Sequence, residues 1–412
     1  MNQETTTPVP SSQMSFLVKR NISLLAIAQA ITGSNQALIA AVGGLAGASL
    51  APTPALATVP ITAQILGLAL TTIPATYAIH HLGRRNGFIL GAGLAIFGGL
   101  AASYALVIGS FVLFCAALVL VGASAAFGQQ YRFAAADSVP EMFKARAISF
   151  VLLGGILAGF LGPRLSFVAK DWVRGVEFSG SFLVISVLGC IAIAVLWFTR
   201  LAPVANTGNL TNSGRTLRQL LRSPEIFVPV AAGMATYALM TFAMVAAPLA
   251  MVLVCGHSVE TATTAIQWHV VAMFAPSFIT GHIINKIGAH LTAGLGLFLI
   301  LLSAVTALNG VTEWHFYAGL VLLGVGWNFG FIGSTTLLTS AYGEAEAARA
   351  QGLNEQLVFG TMAVASIGSG VLLQLIGWQA VNILVIPVAT ATIALLAWGD
   401  HRTRLLREAG VG

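Results

Sequence analysis

Apolar stretches of about 20 residues recur along this chain from Ile22 to Trp398, separated by short polar punctuation. A helix rises about 1.5 Å per residue, so each stretch matches the roughly 30 Å hydrocarbon core of a bilayer. Twelve can be marked off, at 22–46, 56–79, 87–108, 110–136, 147–168, 181–199, 226–254, 262–284, 291–309, 315–341, 352–375 and 379–398. Runs this apolar have no polar face to turn toward water, and only closed hydrogen-bonded structure survives in lipid. The pattern predicts an all-α membrane protein of twelve transmembrane helices, with no stretch left over for a soluble domain.

Composition sharpens this picture. Of 412 residues 57% are hydrophobic and 8% are charged, against about 25% charged in an ordinary soluble domain. The 44 glycines suit close helix approach in lipid. Numbering the loops from a cytoplasmic N-terminus tests the count, because basic residues gather in cytoplasmic loops. Fifteen of the 19 basic residues then fall inside: Lys19, Arg20, Arg84, Arg85, Lys144, Arg146, Arg200, Arg215, Arg218, Arg222, Lys286, Arg349, Arg402, Arg404 and Arg407. Lys170 and Arg174 fall outside, and Arg132 and Arg164 lie near helix ends. The net charge of +6 is thus an orientation signal and calls for no nucleic-acid partner.

The first residues are polar, with Pro8 and Pro10 and no basic stretch before an apolar one, so they read as a cytoplasmic tail and not a signal peptide. The expected organisation is a tail at 1–21, a six-helix bundle at 22–199, a linker at 200–225, a second bundle at 226–398 and a cytoplasmic tail at 399–412. The stretch RTLRQLLRS in the linker reads as a short amphipathic surface helix. Cys115, Cys190 and Cys255 have no metal-site spacing. No phosphate-binding glycine loop offers ATP coupling; neither an enzyme activity nor a cofactor is expected.

The chain repeats itself. TYAIHHLGRRNG after the second span and GHIINKIGAH after the eighth place Gly83 and Gly288 205 residues apart. PEMFKARAIS and YGEAEAARAQG echo each other at a similar offset. Two matched loops indicate a duplicated six-helix half, the parallel repeat of major facilitator transporters. The eighth-span loop resembles that superfamily's signature at Gly281, Asn285, Lys286 and Gly288. In the first half Thr76, His80 and His81 replace signature positions, so a weaker charge latch is expected there.

Polar side chains inside a span are expensive and usually face a cavity or a partner. The candidates are Gln29, Asn35, Gln36, Gln64, Gln129, Gln130, Arg132, His269, Asn328, Asn354 and Glu355. Arg132 is expected to snorkel to the interface or to pair with Asp137. Glu355 reads as interfacial or, if buried, as a proton-coupling carboxylate. Gly154, Gly155, Gly159, Gly162 and Pro163 read as close packing with a local bend.

Four of nine methionines, Met234, Met240, Met244 and Met251, fall on the seventh span. Met240 and Met244 share a face at i,i+4, as do His269 and Met273 on the eighth span. Counting residues from the intervening loop sets Met244 level with His269, and Met240 level with Met273 near the midplane. Thioethers favour Cu(I) over hard cations. A plain packing role for the methionines is the competing reading, since Met fills irregular core space. His257 and Cys255, at the outer mouth, read as ordinary loop residues ahead of copper recruiters.

At these positions the chain resembles the CcoA-like copper importers of the major facilitator superfamily, which carry Met-x-x-x-Met and His-x-x-x-Met pairs on the seventh and eighth helices. GQQYRFAAAD and GVGWNFGFIGSTTLLTSAY add to the likeness. The resemblance implies a monomer in the bacterial inner membrane that imports copper by alternating access for cbb3-type cytochrome c oxidase, with Met240, Met244, His269 and Met273 holding Cu(I). The broader family includes riboflavin importers, so a small organic solute is the alternative substrate. Trp327, Asn328 and the glutamines would then supply stacking and amide contacts.

Overall fold

The computed structural model describes residues 16–201 and 215–408. Most of the expected N-terminal tail, residues 202–214 of the linker and residues 409–412 lie outside the described residues. Every regular element among the described residues is helical. Among the described residues ten helices are long and apolar enough to cross a bilayer, and a pair bent by 45°, Val259–Phe274 with Ser277–Ile287, forms one further crossing. The last helix, Arg349–Thr403, has 55 residues and would extend about 80 Å if straight, more than twice a bilayer core. It is two crossings. Gly377, at φ 79° and ψ 176°, breaks it, and the chain returns: Ala350 packs with Val230 while Gly399 meets Val228, both near the start of one neighbouring helix.

We label the twelve spans α1 (Phe16–Leu50), α2 (Pro54–Leu82), α3 (Arg84–Val107), α4 (Phe111–Ala136), α5 (Phe150–Ala169), α6 (Ser179–Trp197), α7 (Pro224–Val254), α8 (the bent pair), α9 (Ala289–Leu308), α10 (Glu313–Ser340), α11 (349–376) and α12 (378–403).

Packing reproduces the sequence repeat. In the first half α1 lies on α5, α2 on α4 and α3 on α6; in the second α7 lies on α11, α8 on α10 and α9 on α12. Gly83 (φ 80°, ψ 156°) and Gly288 (φ 88°, ψ 159°) make the same sharp turn at the start of α3 and α9, a conformation a side chain would strain. A Cβ on Gly122 of α4 would collide with the Gln64 carbonyl of α2, and one on Gly324 of α10 with the His269 carbonyl of α8. Gln64 and His269 are themselves 205 residues apart.

The halves meet through α5 against α8 and α2 against α11. Phe274 packs on Gly155, and Val270 and Val271 pack on Gly159. The α5 glycines are therefore packing surfaces, as their spacing predicts. Farther from the termini the contacts multiply. Thr62 donates to Ser366 at 2.9 Å, Gly370 admits Thr58, Leu249 covers Gly44, and Arg164 stands 3.6 Å from Glu260. The segments nearer the termini, Tyr131–Ala136, Glu141–Leu152 and Ser277–Ile287, pack mainly within their own halves. The halves are thus pinned at the end away from the termini and part toward the other.

Each half also carries its own latch. Arg84 is buried and donates to Asp137, so the first-half latch persists without the signature acid. In the second half Arg215 grips both oxygens of Glu346, at 2.7 to 3.1 Å, and also donates to the Ala341 carbonyl at 2.9 Å. This contact holds the Glu346 carboxyl well below the usual carboxylate range, at about 2.

Candidate substrate site between the halves

The sequence candidates separate by what they touch. Asn328 is consumed by structure. Pro276 has no N–H to continue α8, and at that break Asn328 donates 2.7 Å bonds to the Met273 carbonyl and the Ser277 hydroxyl while accepting from Thr280 at 2.6 Å. Gln130 similarly ties the kink of α4 to Thr76 of α2 at 3.1 Å. Asn354 faces Gly233 of α7. His257 bonds the Val311 carbonyl at 2.8 Å, tying the α7–α8 loop to the α9–α10 loop.

Other candidates face the space between the halves. On α1, Gln29, Thr32, Gly33, Gln36 and Ala40 are partly exposed, while most residues between them are buried. Their three- and four-residue spacing makes a single stripe. Helices of both halves flank α1, so the stripe opens between them. Gln64 of α2 donates to Gln36 across this wall. The Gln36 amide nitrogen and the Asn35 carbonyl oxygen remain buried without partners, although buried polar groups are nearly always bonded.

The second half carries an aromatic cluster that reaches the first half through Phe274, packed on Gly155 of α5. Trp327 and Phe331, one helical turn apart on α10, stack with ring centroids 5.1 Å apart and planes 15° from parallel. Tyr237 of α7 sets its edge against both, at 5.2 and 5.1 Å, and Phe274 of α8 lies 6.1 Å from Trp327. Trp327 is 6% exposed, and its indole N–H has no acceptor, whereas a buried Trp N–H usually finds one. Sequence reasoning named Trp327 alone. The i,i+4 pair of Trp327 and Phe331 was the available signal for the rest.

The methionine–histidine quartet lies in the core shared by α7, α8 and α10. Met240 is 3% exposed and His269 fully buried, while Met244 and Met273 are half-buried against the same core. His269 Nδ1 lies 2.7 Å from the Leu320 carbonyl. A carbonyl only accepts, so Nδ1 carries the proton and, in the neutral ring, Nε2 holds the lone pair. That nitrogen is buried without a partner.

Arg132 does not pair with Asp137, whose carboxylate is taken by Arg84. Its guanidinium lies 4.9 Å over the Phe133 ring of its own helix.

This geometry agrees with comparison to known proteins. The Major Facilitator Superfamily profile matches residues 25–360, and the chain belongs to that superfamily of membrane transporters. The riboflavin transporter RfnT of Brucella anthropi is 45% identical over 379 residues, covering 92% of this chain and 95% of that protein. The uncharacterized MFS-type transporter YdeG of Bacillus subtilis is 26% identical, covering 95% and 94%. Among solved structures, a bacterial homologue of the human lysosomal transporter Spinster aligns with a TM-score of 0.69 at 15% identity, covering 94% and 98%. The xylose transporter XylE of E. coli gives 0.71 at 12%, covering 93% and 97%.

The copper-importer reading is overturned by the first of these relatives. A chain with nearly half its residues in common over almost its full length carries riboflavin, and thioether-rich spans arise equally from packing. Copper as substrate, and the link to oxidase assembly, fall with it. The alternative of a small organic solute stands.

Proposed function

We propose that this protein imports riboflavin, or a flavin close to it, across the bacterial cytoplasmic membrane by alternating access. The observation that carries the reading is the Trp327–Phe331–Tyr237–Phe274 cluster with its free indole N–H, taken with the amide wall on the first half. A flavin is a planar apolar ring system with carbonyl acceptors on one edge and a polyol chain at its centre. Stacking on aromatic faces and donation from Trp327 suit the ring; Gln29, Gln36 and Gln64 suit the hydroxyls. Met240, Met244 and Met273 act as polarizable packing in the core that α7, α8 and α10 share. The basic residues gathered at the end bearing the termini support a cytoplasmic location for both.

The test is uptake of radiolabelled riboflavin by a riboflavin-requiring bacterium that expresses this chain as its only candidate importer. Expected is saturable uptake that excess unlabelled riboflavin abolishes and Trp327→Ala impairs. Uptake no faster than in the empty-vector strain, with the protein present in the membrane, sinks the reading.

A further inference from the structure

Where the linker enters the second half, Leu217–Arg222 form a short helix. Thr216 opens it: its hydroxyl accepts from the Gln219 N–H, and the Gln219 side chain accepts from the Thr216 N–H. Leu220 is fully buried against Ile226, Val230, Leu338 and Ala350, which fixes the helix to the end of the bundle that bears the termini. Leu217 and Leu221 stay exposed, as do Phe227 at the start of α7 and Trp398 near the end of α12. On a membrane transporter such side chains meet lipid, and aromatic rings gather where hydrocarbon gives way to headgroups.

A groove of about 470 Å³ runs between these elements, lined by Leu221, Arg222, Pro224, Phe227, Leu395 and Trp398. Arg222 is its charged member. The Arg402 guanidinium lies 5.7 Å over the Trp398 ring, which sets a second cation at the groove's edge. Among the described residues neither arginine makes an ion pair, and the acids close by in sequence are engaged elsewhere. Arg215 grips Glu346, Asp400 lies 3.5 Å from His290, and Glu225 accepts from the Ser223 hydroxyl at 2.7 Å. A second groove, between α9 and α12, offers a contrast. It too is apolar, at Leu291, Phe298 and Leu396, but its polar end holds the His290–Asp400 pair and so carries its own counter-ion. The α7–α12 groove carries none.

We propose that the α7–α12 groove binds an anionic phospholipid from the leaflet at the end bearing the termini. An acyl chain lies along Phe227, Leu395 and Trp398, and the headgroup anion sits between Arg222 and Arg402. Guanidinium groups suit phosphate oxygens by charge and by planar donor geometry, and basic pockets between spans select anionic headgroups. Such a lipid bridges the short helix to α7 and α12, so the anchorage of the linker to the second half depends on the charge of the leaflet. The proposal is independent of the substrate.

The test titrates the detergent-purified protein with phosphatidylglycerol or phosphatidylcholine and counts bound lipid by native mass spectrometry. Wild type should hold phosphatidylglycerol at least about tenfold more tightly, since one basic residue near an anionic surface is worth about fivefold and two act here. Arg222→Gln with Arg402→Gln should erase most of that preference. Both side chains are exposed, and an unchanged elution profile checks that the variant is folded. Lys286→Gln removes one charge from the loop after α8 and should keep the preference. Free glycerol phosphate, which has the anion without the chains, should not displace the lipid; displacement would assign the arginines to a soluble anion and overturn the proposal. Equal retention of the two lipids by wild type overturns it as well, whatever the variants do. So does an equal loss in Lys286→Gln and the arginine pair, which would mean diffuse attraction to surface charge.

Discussion

The two halves share a scaffold and differ in what they line it with. At the α2–α4 crossing Gly122 clears the Gln64 carbonyl, and at the α8–α10 crossing Gly324 clears the His269 carbonyl. From that shared junction the first half presents Gln36 and Gln64, bonded to each other. The second half presents Tyr237, Trp327 and Phe331, with the His269 ring bonded to the Leu320 carbonyl of α10. Duplication preserved the close approaches that fix helix crossings, where only a hydrogen fits. The facing side chains were free to diverge, and the result is an asymmetric cleft, polar on one wall and aromatic on the other.

The largest effect is expected at the shared junction. Gly122→Leu and Gly324→Leu each force a side chain into backbone of the neighbouring helix, with no flexible atom to yield. Both should abolish recovery of monodisperse protein by size-exclusion chromatography after extraction. If one half tolerates leucine, the scaffolds are less alike than their geometry indicates.

Next comes the aromatic wall. Stacking of a planar heterocycle on an aromatic side chain contributes about 1–3 kcal/mol by alanine substitution, which is roughly 5- to 150-fold in affinity. Trp327→Ala should raise the KM for riboflavin within that range, and Trp327→Phe, which keeps a ring and loses the N–H donor, should do so less. The amide wall should matter less still. Gln36→Leu removes about one net hydrogen bond, near 1 kcal/mol or about fivefold, and should affect riboflavin more than the same ring without the polyol. Competition by the two compounds measures the difference. Equal losses would remove the division of labour between the walls.

These contrasts explain what the sequence revealed. Span count and duplication follow from one-dimensional patterns such as Gly83 and Gly288 at a fixed offset, and the structure carries them over directly. Which polar residues face the cleft does not. Asn328 and Gln130 are as polar as Gln36, yet they repair helix breaks at Pro276 and in α4, and a break's hydrogen-bond debts are invisible in spacing. The copper reading failed on other ground. The i,i+4 pairs at Met240 and His269 are real, but spacing gives only a shared face, thioethers pack on such a face as readily as they ligate, and it is the riboflavin-transporting relative that decides against copper. Arg132 is a third case: its sequence neighbour Asp137 is claimed by Arg84 of α3, and Arg132 lies instead over the Phe133 ring.

The smallest expected effect separates the latches. In the second half the Glu346 carboxyl is held at about 2 by Arg215, against about 4.3 for an unperturbed glutamate. A folded-state value below the unfolded one means the pairing adds stability above pH 4.3 and loses it as pH falls toward 2. Glu346→Gln should therefore melt slightly below wild type near neutrality, with the gap closing across that window. The pair is only partly buried and still open to screening by salt, so the gap should also shrink in high salt. The first-half latch differs in that Arg84 is buried, and removing its partner by Asp137→Asn leaves a buried cation unpaired, which costs more than losing a partly buried pair. Thermal melts of the two variants at neutral pH, in low and high salt, should show a larger and less salt-sensitive loss for Asp137→Asn. The opposite order would mean that the second-half latch, next to the linker, is the one that holds its bundle together.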